Sequence, residues 1–453
     1  MFEKIVEVTD FLWGTPMIIL ILVVGFYLSI RTGFFQILGI GTTFKKTFGE
    51  MFKKDKSLHD EGSLPPFQVL STVLAGTVGS GNIAGVAAAI AIGGPGAVFW
   101  MWVVAVFGML TKMTEVSLAV RYREKGADGE FYGGPMYYIR NGLGKNWSWL
   151  AVLYSIGLFV IVIADACFVQ VNTLATAAQN AYGIPLLITG IIVVVTSFLV
   201  IIGGTKRIGD FCGKMVPPMC LLWIIACLAV IIINIGNLGE SFLMIFKYAF
   251  APMPAVGGFT GSTIALAMAR GASRGIFSNE AGEGTAATVH ATAKTDHPIH
   301  QGMYGIVEVF IDTIIICSLT ALAIISSGVW SNGETGIHLS FSAFRTVFGE
   351  VGIWIAGAAV VLFCYSSYLG FFVEFRTSLQ HLFGEKIGKY LRWLFFIPPL
   401  FAVTMEIEAV WSLADIAVGL VFIPNMVALI ALSPKFIALF KEYSAKLKIE
   451  KGK

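Results

Sequence analysis

Between Leu74 and Gly85 the chain reads LAGTVGSGNIAG, a poor composition for a plain membrane helix. Gly76, Gly79, Gly81 and Gly85 are interleaved there with Thr77, Ser80 and Asn82, inside an otherwise apolar segment. Glycine costs about 1 kcal/mol per helix position relative to alanine. In hydrocarbon, every backbone N–H or C=O released from a helix must find another partner. The run therefore reads as a helix broken at mid-membrane, its amides and carbonyls left to hold something small and polar. Small residues also let membrane helices approach each other, so a close-packing face is the alternative. A dinucleotide site is excluded: Gly79-x-Gly81-x-x-x-Gly85 misses that fingerprint by one residue, and no strand precedes it.

A second polar interruption, ARGASRGIFSNEAGEG, covers Ala269–Gly284. Ionisable residues at membrane depth are expensive and usually functional or paired, and Glu115, Asp165, Arg270, Arg274, Glu280, Glu308, Asp312 and Asp415 qualify by position. Glu308 and Asp312 stand i, i+4 on one helix face, so they need cations or protons. They form either an ion-pair lattice with Arg270, Arg274 or Lys112, or a proton relay. Gln170 is a mid-membrane amide able to donate and accept; an interhelical hydrogen bond is its other reading. Ser366 and Ser367, adjacent halfway down a span, offer hydroxyls to a cation or bond back to the preceding turn. The six histidines show no HExxH pattern and lie mostly in loops, and the six cysteines are scattered without paired spacing. No catalytic residue, metal-catalysed chemistry or resident cofactor is expected, and no nucleic-acid partner. A channel would need a polar stripe along several helices, whereas polarity here is concentrated at two breaks.

Membrane helices must position these groups. Of 453 residues, 56% are hydrophobic and only 13% charged, with mean hydropathy +0.80, where a soluble protein carries about 25% charge. The expected class is an all-α polytopic membrane protein. Apolar runs long enough to span number about eleven, at roughly 11–30, 67–91, 97–119, 148–171, 184–203, 216–235, 257–285 (interrupted), 302–326, 350–374, 391–405 and 409–432. No cleavable leader is expected, since the first run is long enough to span and no small-residue cleavage site follows it. Lys and Arg concentrate in 31–66, 120–147, 204–215, 286–301, 375–392 and 433–453, which together hold 25 of the 31; Lys4, Lys247 and Arg345 face the other side. By the positive-inside rule the N-terminus is outside and the C-terminus cytoplasmic.

Residues 1–66 form an extra N-terminal helix followed by a basic amphipathic stretch (34–56) expected on the inner membrane surface. The remaining ten spans divide into five-helix halves, 67–235 and 236–432, ahead of a basic tail, 433–453. The two interrupted segments are then the first helix of each half, and odd-numbered repeats face the membrane in opposite senses, as in inverted-repeat transporters.

Thr77–Gly108, GGPMYYI (Gly133–Ile139), RGIFSNEAGEG (Arg274–Gly284) and ADIAVGLVFIPNMVALI (Ala414–Ile430) resemble the alanine or glycine:cation symporter family, with GGPGAVFWMW (Gly93–Trp102) the most specific stretch. The resemblance runs from about Pro66 to Ser433. It implies a leucine-transporter-like fold of five plus five inverted helices, with sodium driving uptake of alanine or glycine, D-alanine being a further candidate. The alternative is a related transporter that uses protons or carries another small solute. For a zwitterionic amino acid, the half-helix starting near Gly79, Ser80, Gly81 and Asn82 offers N–H groups and a positive dipole end to the carboxylate. Carbonyls ending the preceding half-helix, and those around Gly271–Asn279, suit the ammonium. The resemblance places Gln170 at the substrate; Thr77, Gly275, Ser278 and Asn279 are expected in the same site, with Ile276 and Phe277 either closing its side-chain end or serving as core residues. It also implies a sodium site of the Ala75 and Val78 carbonyls with the Ser366 and Ser367 hydroxyls, and a second of the Thr77 carbonyl and the Asn82 side chain. Two departures bear on substrate size and stereochemistry. Bacterial members usually read LGSAP after FSNEAG, where this chain has Glu283-Gly284-Thr285-Ala286-Ala287. They usually carry a tryptophan after the STxLG stretch, where SSYLG here precedes Phe371-Phe372.

Overall fold

A computed structural model describes residues 15–51 and 63–451. Lys4, Lys53, Lys54, Lys56 and Lys453 of the charge pattern, the first residues of the expected span 11–30 and the end of the expected amphipathic stretch 34–56 lie outside them. Helix α1 (Thr15–Arg31) packs its Phe26 edge-on against Phe107 at 6.0 Å. Phe34, at φ 53, then turns the chain into α2 (Ile40–Met51), whose Phe44 meets Phe310 at 5.4 Å.

Helix α3 (Pro66–Thr77) begins on a proline, which fits a first turn where no N–H partner is needed. It ends at Val78 (φ −80, ψ 87), and after a wide π turn at Gly81–Gly85 the chain continues as α4 (Val86–Gly93), bent by 48°. Helix α5 (Gly96–Arg121) is buried along most of its length. Antiparallel β1 (Glu124–Lys125) and β2 (Phe131–Tyr132) form a short hairpin after it. Helix α6 (Ser148–Val162) runs through a second π turn, Ile163–Gln170, into α7 (Val171–Tyr182). Gly183 at φ 70 caps α7, a left-handed conformation that glycine adopts without penalty. Helices α8 (Leu186–Ile201), α9 (Gly204–Ile233) and α10 (Leu238–Phe250) follow.

Thr263 caps α11 (Ile264–Asn279) by accepting from Leu266 N–H at 3.1 Å. Helix α12 (Ala286–His290) follows a non-helical stretch, and α13 (Pro298–Val309) runs through a third π turn, Phe310–Cys317, into α14 (Ser318–Ser326). Helices α15 (Gly336–Phe348), α16 (Glu350–Leu391) and α17 (Ile407–Lys451) close the chain. Where α17 leaves the apolar region, Lys446 reaches Asp296 at 3.2 Å, and the His300 hydrogen bond at 2.8 Å, with Lys446, holds that carboxyl below its usual range.

Among the described residues, six helical stretches are each long and apolar enough to cross a membrane, seven with the bent pair α3–α4, and α1 and α8 are shorter apolar helices. Two boundaries differ from the sequence expectation. In the interrupted segment the helix runs unbroken past Gly271 to Asn279, and the break comes at Glu280, whose φ of 54 is left-handed. Gly282 (φ 100) and Gly284 (φ 75) carry it further, and a Cβ at Gly282 would overlap Phe422. The span expected to start at 391 instead follows a break at Gly384 (φ 75, ψ 172), after which the chain stays helical through Arg392–Phe396 and Pro398–Ala402. Glu385, Lys386 and Lys389 make that stretch read as a loop, but charged residues at the end of a span reach the interface.

The buried charges form separate sets. Lys112 Nζ lies 3.1 Å from Glu308 Oε1, both side chains fully buried, and His290 Nε2 lies 3.0 Å from Glu308 Oε2. Gln301 approaches the other His290 nitrogen at 2.9 Å. This is the expected lattice with Lys112 as its cation and His290 as an unforeseen member. Arg274 pairs bidentately with Asp415 at 2.8 and 2.9 Å.

Candidate functional site

The α3–α4 break meets the end of α11 just ahead of that helix's own break, and the second and third π turns aim side chains into the contact. Such turns add a residue to a helix and recur at functional sites. At the α3–α4 break, Gly79 N–H donates to Asn82 Oδ1 and Ser80 N–H donates to Gln170 Oε1, both at 2.9 Å. These N–H groups begin a helix, so side-chain oxygens stand where the dipole favours negative charge. Gln170, at the end of the second π turn, donates through Nε2 to Asp165 Oδ1 at 2.7 Å. From the third π turn, Asp312 Oδ1 accepts from Asn82 Nδ2 at 2.6 Å, and Ser278 Oγ donates to both Asp312 oxygens at 3.1 and 2.9 Å. Thr313 Oγ donates to the same carboxylate at 2.7 Å, and Cys317 Sγ lies 3.3 Å from Asn82 Nδ2.

Backbones approach closely here because of glycine. A Cβ on Gly79 would overlap Ser367 Oγ and stand 2.8 Å from Gln170 Oε1; one on Gly81 would stand 3.2 Å from Ser278 Cα. The junction is therefore tight. Phe277 lies on its edge with its ring 4.9 Å from Trp411, over which Arg274 is placed at 4.7 Å. Beside Trp411 opens a cavity of about 550 Å³ lined in part by Arg274, Asn172, His338 and Glu408.

Gly79, Ser80, Gly81, Asn82, Gln170, Phe277 and Ser278 are thus brought together. The other expected residues make further contacts of their own. Thr77 Oγ bonds back to Val73 O at 3.2 Å, and Ile276 O accepts from Glu280 N–H at 2.6 Å. Gly275 packs on α5, where a Cβ would stand 2.9 Å from Val104. Asn279 ties the end of α11 to Thr313 at 3.0 Å and caps Ala281 N–H at 3.0 Å.

Around the expected sodium site, Val78 leaves helical geometry, which turns its carbonyl out of the α-helical ladder, whereas Ala75 remains within α3. Ser367 Oγ donates to Gly76 O at 2.8 Å, so it reaches the break. Ser366 instead bonds back to Phe363 O at 2.8 Å and faces Met219.

Asp312 belongs at the junction, although its spacing from Glu308 suggests a shared lattice. Among the described residues no Lys, Arg or His pairs with it. Its signal in the sequence is its charge at membrane depth. The second break is held by Glu115 Oε1, which accepts from Gly282 N–H at 2.9 Å and from Asn425 Nδ2 at 2.6 Å. Glu283 is buried beside it and accepts from Tyr154 OH at 2.9 Å through its carbonyl. Phe371 is buried, and its neighbour Phe372 packs edge-on against Phe395 at 5.4 Å.

A multi-pass helical bundle with two broken helices meeting at a buried polar junction, near a cavity edged by Trp411 and Arg274, has the form of a membrane transporter. The chain belongs to the sodium:alanine symporter family, whose sequence profile matches residues 1–453. It is 39% identical over 451 residues to an uncharacterized transporter of Haemophilus influenzae, covering 99% of this chain and 97% of that one. It is 36% identical over 446 residues to the sodium/alanine symporter AgcS of Methanococcus maripaludis, covering 96% of each. In fold it is similar to the crystal structure of MhsT in complex with L-phenylalanine, with TM-score 0.55 and 15% identity over 82% of this chain and 89% of that one. It is a transporter and not an enzyme.

Proposed function

We propose that the protein is a sodium-coupled symporter that imports alanine and glycine by alternating access. The observation that carries this reading is the meeting of Gly79–Asn82, Gln170, Ser278 and Asp312 at the two breaks. The substrate carboxylate takes the Gly79 and Ser80 N–H groups, displacing the Asn82 and Gln170 oxygens that cap them. The ammonium faces the carbonyls at the end of α11 and at Val78, and Ile276 and Phe277 limit the side chain to a methyl group. One sodium ion sits at Ala75, Val78, Ser366 and Ser367, with Ser366 turning from Phe363 to join it. A second sits between the Thr77 carbonyl, the Asn82 amide and the Asp312 carboxylate, a set of hard oxygen donors suited to that ion. Arg274–Asp415, with Phe277 and Trp411, gates the outer cavity.

The architecture we infer is eleven spans, an extra N-terminal helix and two inverted five-helix halves at 67–235 and 236–432, with the N-terminus outside and the C-terminus cytoplasmic. It is supported by the contact between two broken helices drawn from the two halves, and by the distribution of Lys and Arg.

Uptake of labelled alanine into proteoliposomes tests this. An inward sodium gradient is expected to drive uptake, competed by glycine and not by leucine, while potassium alone does not. Uptake driven by a pH gradient without sodium would replace sodium by protons, and no alanine uptake under any gradient would reject the substrate. The Gln170 oxygen displaced from Ser80 then accepts from the substrate ammonium, so Gln170→Ala is expected to raise the alanine concentration for half-maximal uptake about tenfold, the effect of one lost hydrogen bond to a charged group. Unchanged alanine dependence would make Gln170 a purely structural link to Asp165.

A further inference from the structure

We propose that the chain carries a phosphate-binding site between the β1–β2 hairpin and the end of α16, formed by Arg376, Arg392 and Lys389. These residues line a cavity of about 160 Å³, together with Tyr132, Asp128 and Glu385. Arg376 Nε and Nη2 and Arg392 Nε are buried with no hydrogen-bond partner among the described residues. Buried guanidinium N–H groups carry a large penalty when unpaired, so two arginines opening on one cavity point to an anion between them.

The carboxylates at hand are engaged elsewhere. Asp128 accepts from Tyr132 OH at 2.6 Å and from Glu130 N–H at 3.0 Å, and Glu385 accepts from Ala127 N–H at 3.3 Å. Aromatic rings hold the arginines in place, Arg376 lying 4.9 Å over Tyr132 and Arg392 4.8 Å over Trp393. A fixed guanidinium fork matches the oxygens of a phosphate group, which accepts two parallel hydrogen bonds. Three cations against two carboxylates leave the cavity with net positive charge.

Its place in the fold suits the phosphate of an acidic lipid. Ile387, Tyr390 and Leu394 beside it are exposed apolar or aromatic side chains, as at a lipid-facing surface. The cavity lies among segments 120–147 and 375–392, on the lysine- and arginine-rich face, where basic pockets between helices take lipid headgroups. Free phosphate has the same chemistry and is distinguished by experiment.

The test is thermal unfolding of the full chain in detergent, with added phosphatidylglycerol, phosphatidylcholine or inorganic phosphate. Phosphatidylglycerol is expected to raise the melting temperature and phosphatidylcholine not to. A rise with inorganic phosphate as well would identify free phosphate as a sufficient ligand. Arg392→Gln and Lys389→Gln should each raise the phosphatidylglycerol needed for half the effect about fivefold, and Arg392→Lys should recover only part of the loss because it keeps charge but not the fork. Lys386→Gln, an exposed change on the same face outside the cavity, should respond as the unmodified chain does. An equal response from Arg392→Gln, Lys389→Gln and the unmodified chain would overturn the proposal, as would no response of the unmodified chain to either phosphate source. Should Arg376→Gln fail to fold, the Arg392 and Lys389 variants decide alone.

Discussion

Asp312→Asn is expected to raise the sodium concentration for half-maximal alanine uptake by ten- to a hundredfold while leaving the fold intact. The carboxylate accepts from Asn82, Ser278 and Thr313. Asparagine keeps one oxygen facing Asn82 and presents an amide to two hydroxyls that can accept as well as donate, so the network survives. What is lost is the negative charge, and a charged partner in a buried site contributes about 1.5–3 kcal/mol, which gives the stated factor. Sodium titration of uptake, with a melting curve as control, separates the outcomes. An unchanged sodium dependence in a folded variant would make Asp312 a structural link between α4 and α13. Loss of a pH dependence with sodium dependence retained would make it a proton carrier. Ser367→Ala acts at the other proposed site and should also raise the sodium concentration for half-maximal uptake, with an effect coupled to that of Asp312→Asn because Gly79 and Asn82 link the two residues.

The breaks are legible in the sequence because a regular membrane helix has no use for the residues that make them. Glycines and hydroxyls in hydrocarbon at Gly76–Gly85, and again before Gly284, show where the helix stops being regular. Which face of a helix meets the break is not legible in the same way. Ser366 and Ser367 differ by about 100° around the axis, and only Ser367 reaches the Gly76 carbonyl. Glu308 and Asp312 look like neighbours at i, i+4. Yet the helix widens into a π turn from Phe310, which changes the register, and the two carboxylates go to different partners. No pattern of residue types announces such a turn, so spacing alone assigns Asp312 to the wrong network. His290 reads as a loop residue because the interruption at Glu280–Thr285 disguises the short helix that carries it. Gly384 is hidden for the opposite reason: the charges beyond it mark the start of a helix but have the composition of a loop.

Lys112→Met is the substitution with the largest expected cost to folding. The ammonium and the Glu308 carboxylate are fully buried 3.1 Å apart, in the middle of the helix that α11 and α13 both pack against. Methionine fills nearly the same volume, so little is lost in packing. Glu308 is instead left buried beside His290 without its cation, and removing one partner of a buried pair costs about 3–5 kcal/mol. Gly305, where a Cβ would stand 3.0 Å from Lys112 Cγ, leaves no room for the chain to admit water in compensation. Thermal unfolding in detergent should show a large drop for Lys112→Met. Much of that drop should return in Lys112→Met with Glu308→Leu, since replacing both members of a buried pair by apolar groups is often neutral. His290 keeps its contact with Gln301 in that double variant. A single variant within about 1 kcal/mol of the unmodified chain, or a double variant as unstable as the sum of the two singles, would mean that the pair is screened by water and that Lys112 serves the transport cycle instead of the fold.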